Sequence, residues 1–317
     1  MSAPLVSVVI ATRNRPRLLR LALASVTAQK DMPGGAVEAV VVNDGGTDLA
    51  ADLASAAAAG LRVQPVVLPV RRGLPAARNA DIDAARGEFL AFLDDDDVFL
   101  PGHLHAALQV LGSGDADAAY TTCLISPVRI DPARPAPEVP VSNGYPFDPG
   151  LLSVANYIPV HSAVLRRPAS ASARFDQELA ALEDWDFWLR LSRDYGYRFV
   201  HVAEPTVVYH RIPGQASMCG STVRDAAALD GFGALVQRLW RRWPATSAKA
   251  ARFRAYVGVM YWHAFSLLAT GRPLADLYFQ HCLRILADAW AGAEAEDGLI
   301  DRIRHAVQGD PVAADAA

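Results

Sequence analysis

Apolar residues over the first hundred positions alternate between short continuous runs and helically spaced patterns. The runs at Leu5–Ala11, Val37–Asn43, Arg62–Leu68 and Glu88–Leu93 read as strands. Between them, Pro16–Gln29, Asp48–Ala59 and Leu74–Arg86 read as helices. Strands that are apolar throughout, separated by helices, predict a mostly parallel central sheet covered on both faces, an α/β architecture. Polar residues gather where strands end: Thr12-Arg13-Asn14 after the first, Asp44-Gly45-Gly46 after the second, Asp94–Asp97 after the fourth. Parallel strands place these clusters on one rim, the edge at which such sheets bind ligands.

Further on, Ser126–Gly150 is dense in Pro and turn formers and reads as a long surface excursion. An apolar run near Pro159–Leu165, a helix from Glu183 to about Tyr195 and a strand pair within Tyr197–His210 follow. From about Thr222 the pattern is helical, with breaks near Pro244 and Pro273. The expected division is a sheet domain over 1–221, a helical C-terminal region over 222–309 and a frayed tail over 310–317. The most lipophilic window, Ala255–Gly271, is short for a spanning helix and contains His263 and Ser266. It reads as a buried helix or a subunit contact, with membrane apposition as the alternative.

Composition narrows the partners. Hydrophobic residues make up 52% of the 317 and the formal net charge is -4, so the chain lacks the basic footprint of a nucleic-acid binder. Its three cysteines, Cys123, Cys219 and Cys282, are far apart and show neither a disulfide framework nor zinc spacing. The N-terminal apolar segment has no basic stretch ahead of it and reads as a first strand rather than a signal peptide. The expected location is the cytoplasm, with the inner face of the membrane as a variant.

Asp94–Asp97 pose an electrostatic problem. Ionised neighbours repel one another, and a buried strand end does not accept charge unless something positive lies nearby. Mg²⁺ or Mn²⁺, hard cations that take carboxylate and phosphate oxygens, would supply it. Asp97 by itself is also explained as an acid favoured near the helix led by Pro101. A second acidic group lies in "ALEDWDFWLRLSRDYG". There Asp186 has Arg190 four residues on, an exposed-face pairing. Asp184 has Phe187, Trp188 and Leu191 at helical spacing, so it is expected on the apolar face, where desolvation raises a carboxylate toward the range of a general base.

Together "VSVVIATRNRPRLLRLALASVTAQ", "VVVNDGGTD", "GLPAARNADIDAARGEFLAFLDDDD", "RFDQEL" and "LEDWDFWLRL" resemble, in order and over about Leu5–Ser217, the family 2 glycosyltransferases of the GT-A fold. The resemblance implies inverting transfer of a sugar from a nucleoside diphosphate donor, most often uridine, to an acceptor hydroxyl. By the same resemblance, Thr12, Arg13 and Asn14 line the nucleoside pocket, Asp44 hydrogen-bonds the base, and Arg78, Asp94 and Asp95 lie at the nucleotide. Asp96 looks like the metal-binding acid of a D-x-D motif, with His210 as a second candidate ligand. Asp184 looks like the catalytic base, with Glu183 supporting the acceptor. Asn43 and Gly46 depart from the family's usual Asp and Ser. In "VVYHRIPGQAS" either His210 or Arg211 is placed to face the diphosphate. His161 reads as a packed strand histidine, with a place bordering the acceptor site as the alternative. The Q-x-x-R-W motif of processive members is absent, which implies single transfers.

Two alternatives accompany this reading. One is a sugar-phosphate nucleotidylyltransferase, although "ATRNRP" stands where its Gly-rich loop would follow the first strand. The other is a non-catalytic nucleotide-sugar-binding partner subunit. The expected partners are a nucleotide-sugar donor and a hydroxyl-bearing acceptor of glycan, lipid-linked glycan or natural-product type, without nucleic acid. A homo-oligomer through the C-terminal helices and a peripheral membrane contact are further expectations.

Overall fold

A computed structural model describes residues 3–132, 141–212 and 225–309. Strand β1 (Val6–Thr12) is buried along nearly its whole length and lies between β2 (Val37–Asp44) and β4 (Phe89–Phe92), parallel to both. Outside β2 runs β3 (Arg62–Leu68), also parallel. Connections pass through α1 (Pro16–Thr27), α2 (Ala50–Ala58) and α3 (Leu74–Ala84), each within a few residues of its sequence-predicted span. Pro at the first turn of α1 and α3 suits positions whose N–H has no helical partner.

Beyond β4 the sheet is mixed. Its order is β3-β2-β1-β4-β8-β6-β9-β5, with β5 at Val98–Phe99, β6 at Ala118–Ser126, β8 at Ala163–Arg166 and β9 at Phe199–His210. Helix α4 (His103–Leu111) links β5 to β6. β8 is antiparallel to both neighbours, whereas β6 and β9 are parallel, with register shifts at Thr121–Cys123. The expected strand pair in Tyr197–His210 is therefore one 12-residue strand. β6 escaped sequence reading because Ala-Ala-Tyr-Thr-Thr-Cys has neither strict alternation nor a continuous β-branched run. Within the expected excursion, Val141–Asn143 forms a short strand, β7, on β6, and 133–140 lie outside the described residues.

The chain divides into two compact units, one of 1–147 with 158–214, the other of 148–157 with 215–317. The first holds the sheet. Its core is built from inward residues of β1, β2 and β4 against Leu19, Leu23 and Val26 of α1 and Leu104 and Leu111 of α4. The second comprises the four-residue α5 (Pro149–Leu152) and helices α7 (Ala226–Arg242), α8 (Ala248–Ala269), α9 (Tyr278–Ala291) and α10 (Leu299–Gln308). The short 148–157 segment is held there by Trp240, whose indole N–H donates to Val154 O at 3.1 Å, and by Arg254, which donates to Ser153 O at 2.7 Å. Asp225 and Ser247 cap α7 and α8 by accepting backbone N–H groups at 2.8 and 3.1 Å. The prolines at 244 and 273 fall in the breaks as expected, and a third break follows Gly292 in the left-handed region. The tail at 310–317 lies outside the described residues. Among the described residues no helix is long and apolar enough to cross a membrane.

Candidate active site

The strand-end clusters meet on one rim. Register sets Thr12 beside Asn43, and the Thr12 hydroxyl donates to Asp95 Oδ2 at 2.6 Å, joining the ends of β1 and β4. Much of the positive charge that the acidic run demands comes from the protein. Arg15 reaches Asp95 at 3.2 Å and Asp96 at 3.3 Å. Arg78, buried in α3, donates from one guanidinium nitrogen to Asp94 at 2.6 Å and from another to Glu183 at 2.7 Å. Burial opposes charge on Arg78, yet Asp94, Glu183 and Asp184 together raise its pKa above the ordinary value. Burial likewise opposes ionisation of Asp94, but Arg78 and His161 hold its carboxyl well below the usual range. Arg78 was expected at the nucleotide; its guanidinium is instead committed to two carboxylates.

Asp96 is the member left short. Its neighbour Arg15 is half-exposed, and burial together with Asp97, Asp94 and Asp95 pushes its pKa to about 7. Asp97 turns inward, where its Oδ1 accepts the His210 N–H at 2.7 Å and its Oδ2 stands 3.3 Å from His161 Nδ1. His161 lies in a 3-10 turn (Val160–Ser162), stacks on Tyr209 at 5.5 Å and has Cys123 Sγ 3.3 Å from Nε2. Burial lowers its pKa, but Cys123, Asp97 and Asp94 outweigh that and raise it well above the ordinary imidazole value.

His210 does not stand as a metal ligand. Its Nδ1 donates to Asp96 O at 2.8 Å and its Nε2 accepts from the Ile130 N–H at 3.0 Å, so both ring nitrogens are used by main chain. Among the described residues, the acidic and imidazole groups close enough to share an ion are Asp94, Asp97 and His161, whose ligand atoms lie within 4.8 Å of one another. Asp97 Oδ2 and His161 Nδ1 are buried without a hydrogen-bond partner. They face each other at 3.3 Å, and it is the charge crowding on Asp96 that fits a cation at this rim. Arg211 is described, but residues 213–224 lie outside the described residues, Cys219 included.

The loops at the ends of β1 and β2 are braced internally. Asn14, in the left-handed region at φ 57°, accepts the Thr47 N–H at 2.8 Å, and Asn43 accepts the Gly46 N–H at 2.8 Å. A Cβ at Gly46 would meet Asn43 Oδ1 at 2.7 Å and Asn14 N at 2.9 Å, which accounts for glycine there. Arg13 is exposed. Asp44, expected on a nucleobase, accepts the Arg72 and Gly73 N–H groups at 2.5 and 2.9 Å and so ties down the entry to α3. Replacing Asp44 with Ala is expected to lower stability by roughly 2–4 kcal/mol, from two backbone bonds to a charged acceptor. Urea titration at neutral pH measures it.

Helix α6 (Glu183–Arg193) starts after Leu182 at φ 63°. Its buried residues surround the axis: Trp185, Phe187, Trp188, Leu189 and Leu191, with Asp186 at 0% exposure and Arg190 donating to it at 2.8 Å. The surface pairing expected for Asp186 is therefore a buried one, and Asp184, expected on the apolar face, is only partly buried. Asp184 Oδ1 accepts the Trp185 N–H at 2.8 Å. A helix enclosed on nearly every side offers no exposed stripe by which periodicity could sort its acids.

The fold is that of the GT-A glycosyltransferases. The structure is similar to Staphylococcus aureus TarS 1-349, at 15% identity and TM-score 0.53 over 96% of this chain and 90% of that one. It is similar as well to the mannosyltransferase PcManGT of Pyrobaculum calidifontis, at 19% identity and TM-score 0.53 over 96% and 86%. TarS has been solved with UDP and with UDP-GlcNAc, and PcManGT with GDP-Man and Mn²⁺. The profile of "Glycosyl transferase family 2" matches residues 7–170, and the chain belongs to that family: it is a glycosyltransferase. Among curated relatives, the glycosyltransferase YwdF of Bacillus subtilis is 30% identical over 208 residues, 64% of this chain and 73% of YwdF. The amylovoran biosynthesis glycosyltransferase AmsB of Erwinia amylovora is 26% identical over 182 residues, 55% of this chain and 60% of AmsB. Membership sets aside the nucleotidylyltransferase alternative.

Proposed function

We infer that the sheet unit transfers a sugar, with inversion, from a nucleoside diphosphate donor to an acceptor hydroxyl, with Asp184 as general base. The observation that carries this reading is the Arg78 hub. One buried guanidinium gathers Asp94 from the donor rim and Glu183 from the start of α6, and it feels the charge of Asp184 beside them. Acids from two distant segments thereby flank one rim. Asp184 is only partly buried and in reach of solvent-borne groups, as a base for an incoming hydroxyl must be. Glu183 and Arg78 hold the start of α6 in place and so orient it.

Asp94 and Asp96, the more exposed acids of the run, would hold Mg²⁺ or Mn²⁺, while Asp97 and His161 brace Asp94 from behind. Such an ion supplies Lewis-acid stabilisation of the leaving diphosphate. Uridine donors come first in the reading, with guanosine and thymidine donors next. The acceptor is a hydroxyl-bearing glycan, lipid-linked glycan or natural product.

A thermal-shift panel of UDP-, dTDP- and GDP-sugars with and without Mn²⁺ tests this, since a ligand of the native state raises the melting temperature by mass action. The expected result is a shift for one donor class that grows when Mn²⁺ is present. No shift with any donor would overturn the donor-site reading. The pH dependence has a fixed sign. Folded Asp96 keeps its proton to about pH 7, whereas an ordinary aspartate releases it near 3.8, so the ion-free protein loses stability as pH rises through that window. A cation offsets that loss and competes with the proton below it. Mn²⁺ should therefore raise the melting temperature more at pH 8 than at pH 5; equal shifts would place the ion away from Asp96.

A further inference from the structure

Along α8 the residues Ala251, Ala255, Gly258, Trp262, Phe265 and Ala269 are all exposed, at successive spacings of four and three. This is the 3.5-residue seam with which one helix packs on another. Trp262 and Phe265 are 62% and 39% exposed, conspicuous for large apolar side chains. Among the described residues nothing packed at Gly258 calls for a glycine. A Cβ there would meet nothing within 4 Å, and glycine in a helix interior costs about 1 kcal/mol relative to alanine.

The stripe is complementary to itself when reversed. A twofold axis at the level of Met260 sets Gly258 opposite Trp262 of a second copy, Ala255 opposite its Phe265 and Ala251 opposite its Ala269. Each large side chain then faces a small one. Parallel pairing would instead oppose Trp262 to Trp262 and leave Gly258 facing Gly258. Charge favours the same orientation. α8 has no acidic residue, and its basic residues, Lys249, Arg252 and Arg254, all lie in the first two turns. Antiparallel pairing separates the two basic ends and sets each beside the negative end of the other helix's dipole.

We propose that α8 is the centre of an isologous homodimer, paired antiparallel across this seam with Trp262 seated over Gly258 of the second copy. A 22-residue helix is about 33 Å long, and its seam supplies part of the roughly 800 Å² that each partner gives to a standard interface, so the dimer is reversible. The proposal is independent of the transferase reading, and either can fail alone.

Sedimentation equilibrium over a loading series tests it on the full chain. The wild type should move from monomer mass toward twice that mass as loading rises. Gly258→Leu should stay monomeric at every loading, with its melting temperature unchanged or raised, because position 258 has room in the monomer. The double variant Gly258→Trp, Trp262→Gly should recover the dimer, since the swap restores each large-small pair. A wild type that stays monomeric, a Gly258→Leu that dimerises normally, or a folded double variant that stays monomeric would each overturn the proposal. Flotation with phosphatidylglycerol-phosphatidylcholine vesicles checks the rival occupant. No flotation is expected; flotation of a monomeric wild type, abolished by Trp262→Glu, would assign the stripe to lipid.

Discussion

Replacing Asp184 with Asn is expected to cut the transfer rate by roughly 10²–10⁴-fold, the contribution of a positioned general base. Donor affinity should hold, because the acids expected at the donor lie on the β4 rim and the change adds or removes no bulk. The substitution is also mild for the fold. Asp184 Oδ1 accepts the Trp185 N–H at 2.8 Å, and an asparagine carbonyl can accept the same bond. Single-turnover kinetics alongside UDP titration separates the two effects. If UDP affinity and cooperative unfolding fall together with the rate, Asp184 is structural and the base lies elsewhere. If the wild type transfers no sugar to any hydroxyl acceptor while still binding donor, the binding-only subunit becomes the better reading.

Arg78→Met should be the most damaging change to stability, about 3–5 kcal/mol at neutral pH, because it strands the buried Glu183 carboxylate and takes from the partly buried Asp94 the larger of its two positive neighbours. Arg78 is 3% exposed and bonds Asp94 and Glu183 at 2.6 and 2.7 Å. The linkage sign follows from Asp94. Its carboxyl is held well below the usual range, so its contribution is present above the ordinary carboxylate pKa and fades only in strong acid. In the variant the stranded carboxylates take up protons at milder acidity, which relieves the cost. The stability gap between wild type and variant should therefore narrow from pH 7 to pH 4. A gap below about 1 kcal/mol at pH 7, the worth of a surface pair, would mean Arg78 is not the hub. Because Arg78 also holds the start of α6, transfer should fail even where the variant remains folded.

Much of the architecture is legible from residue patterns. The β1–β4 half of the sheet and its helices match the expected spans because β1, β2 and β4 are largely apolar runs and α1 buries an apolar stripe, while β3, with Arg62, Gln64 and Pro65, and the Ala-rich α2 are marked by the turn residues around them. The far half is less legible. β5 is two residues long, β7 three, and β6 is stabilised by pairing with four-residue β8 and with β9 more than by its own composition. The segment 148–157 belongs with the C-terminal helices through bonds from Trp240 and Arg254, which local periodicity does not report.

Within the site, the acidic run and its missing cation were readable, but the identity of the cation was not. Arg15 stands one residue past the segment singled out for the nucleoside pocket, and its proximity to that segment was an available signal. His161 carried no more than its residue type, and Asp97 was hidden inside its own cluster. His210, read as a metal ligand, is a backbone brace, because two main-chain groups from separate loops reach its ring nitrogens. Asp184 and Asp186 exchanged environments relative to expectation, since α6 is enclosed almost all round.

By itself the sequence determined that the polar strand ends share one edge, because parallel strands with short helical returns can put them nowhere else. It determined as well which motifs the chain carries and in what order. Only the tertiary structure decided which carboxylates are neutralised and which is left crowded. The partners that settle it, Arg78 with Glu183 and His161 with Asp97, lie 105 and 64 positions apart, and a bond across such distances depends on packed geometry rather than on spacing.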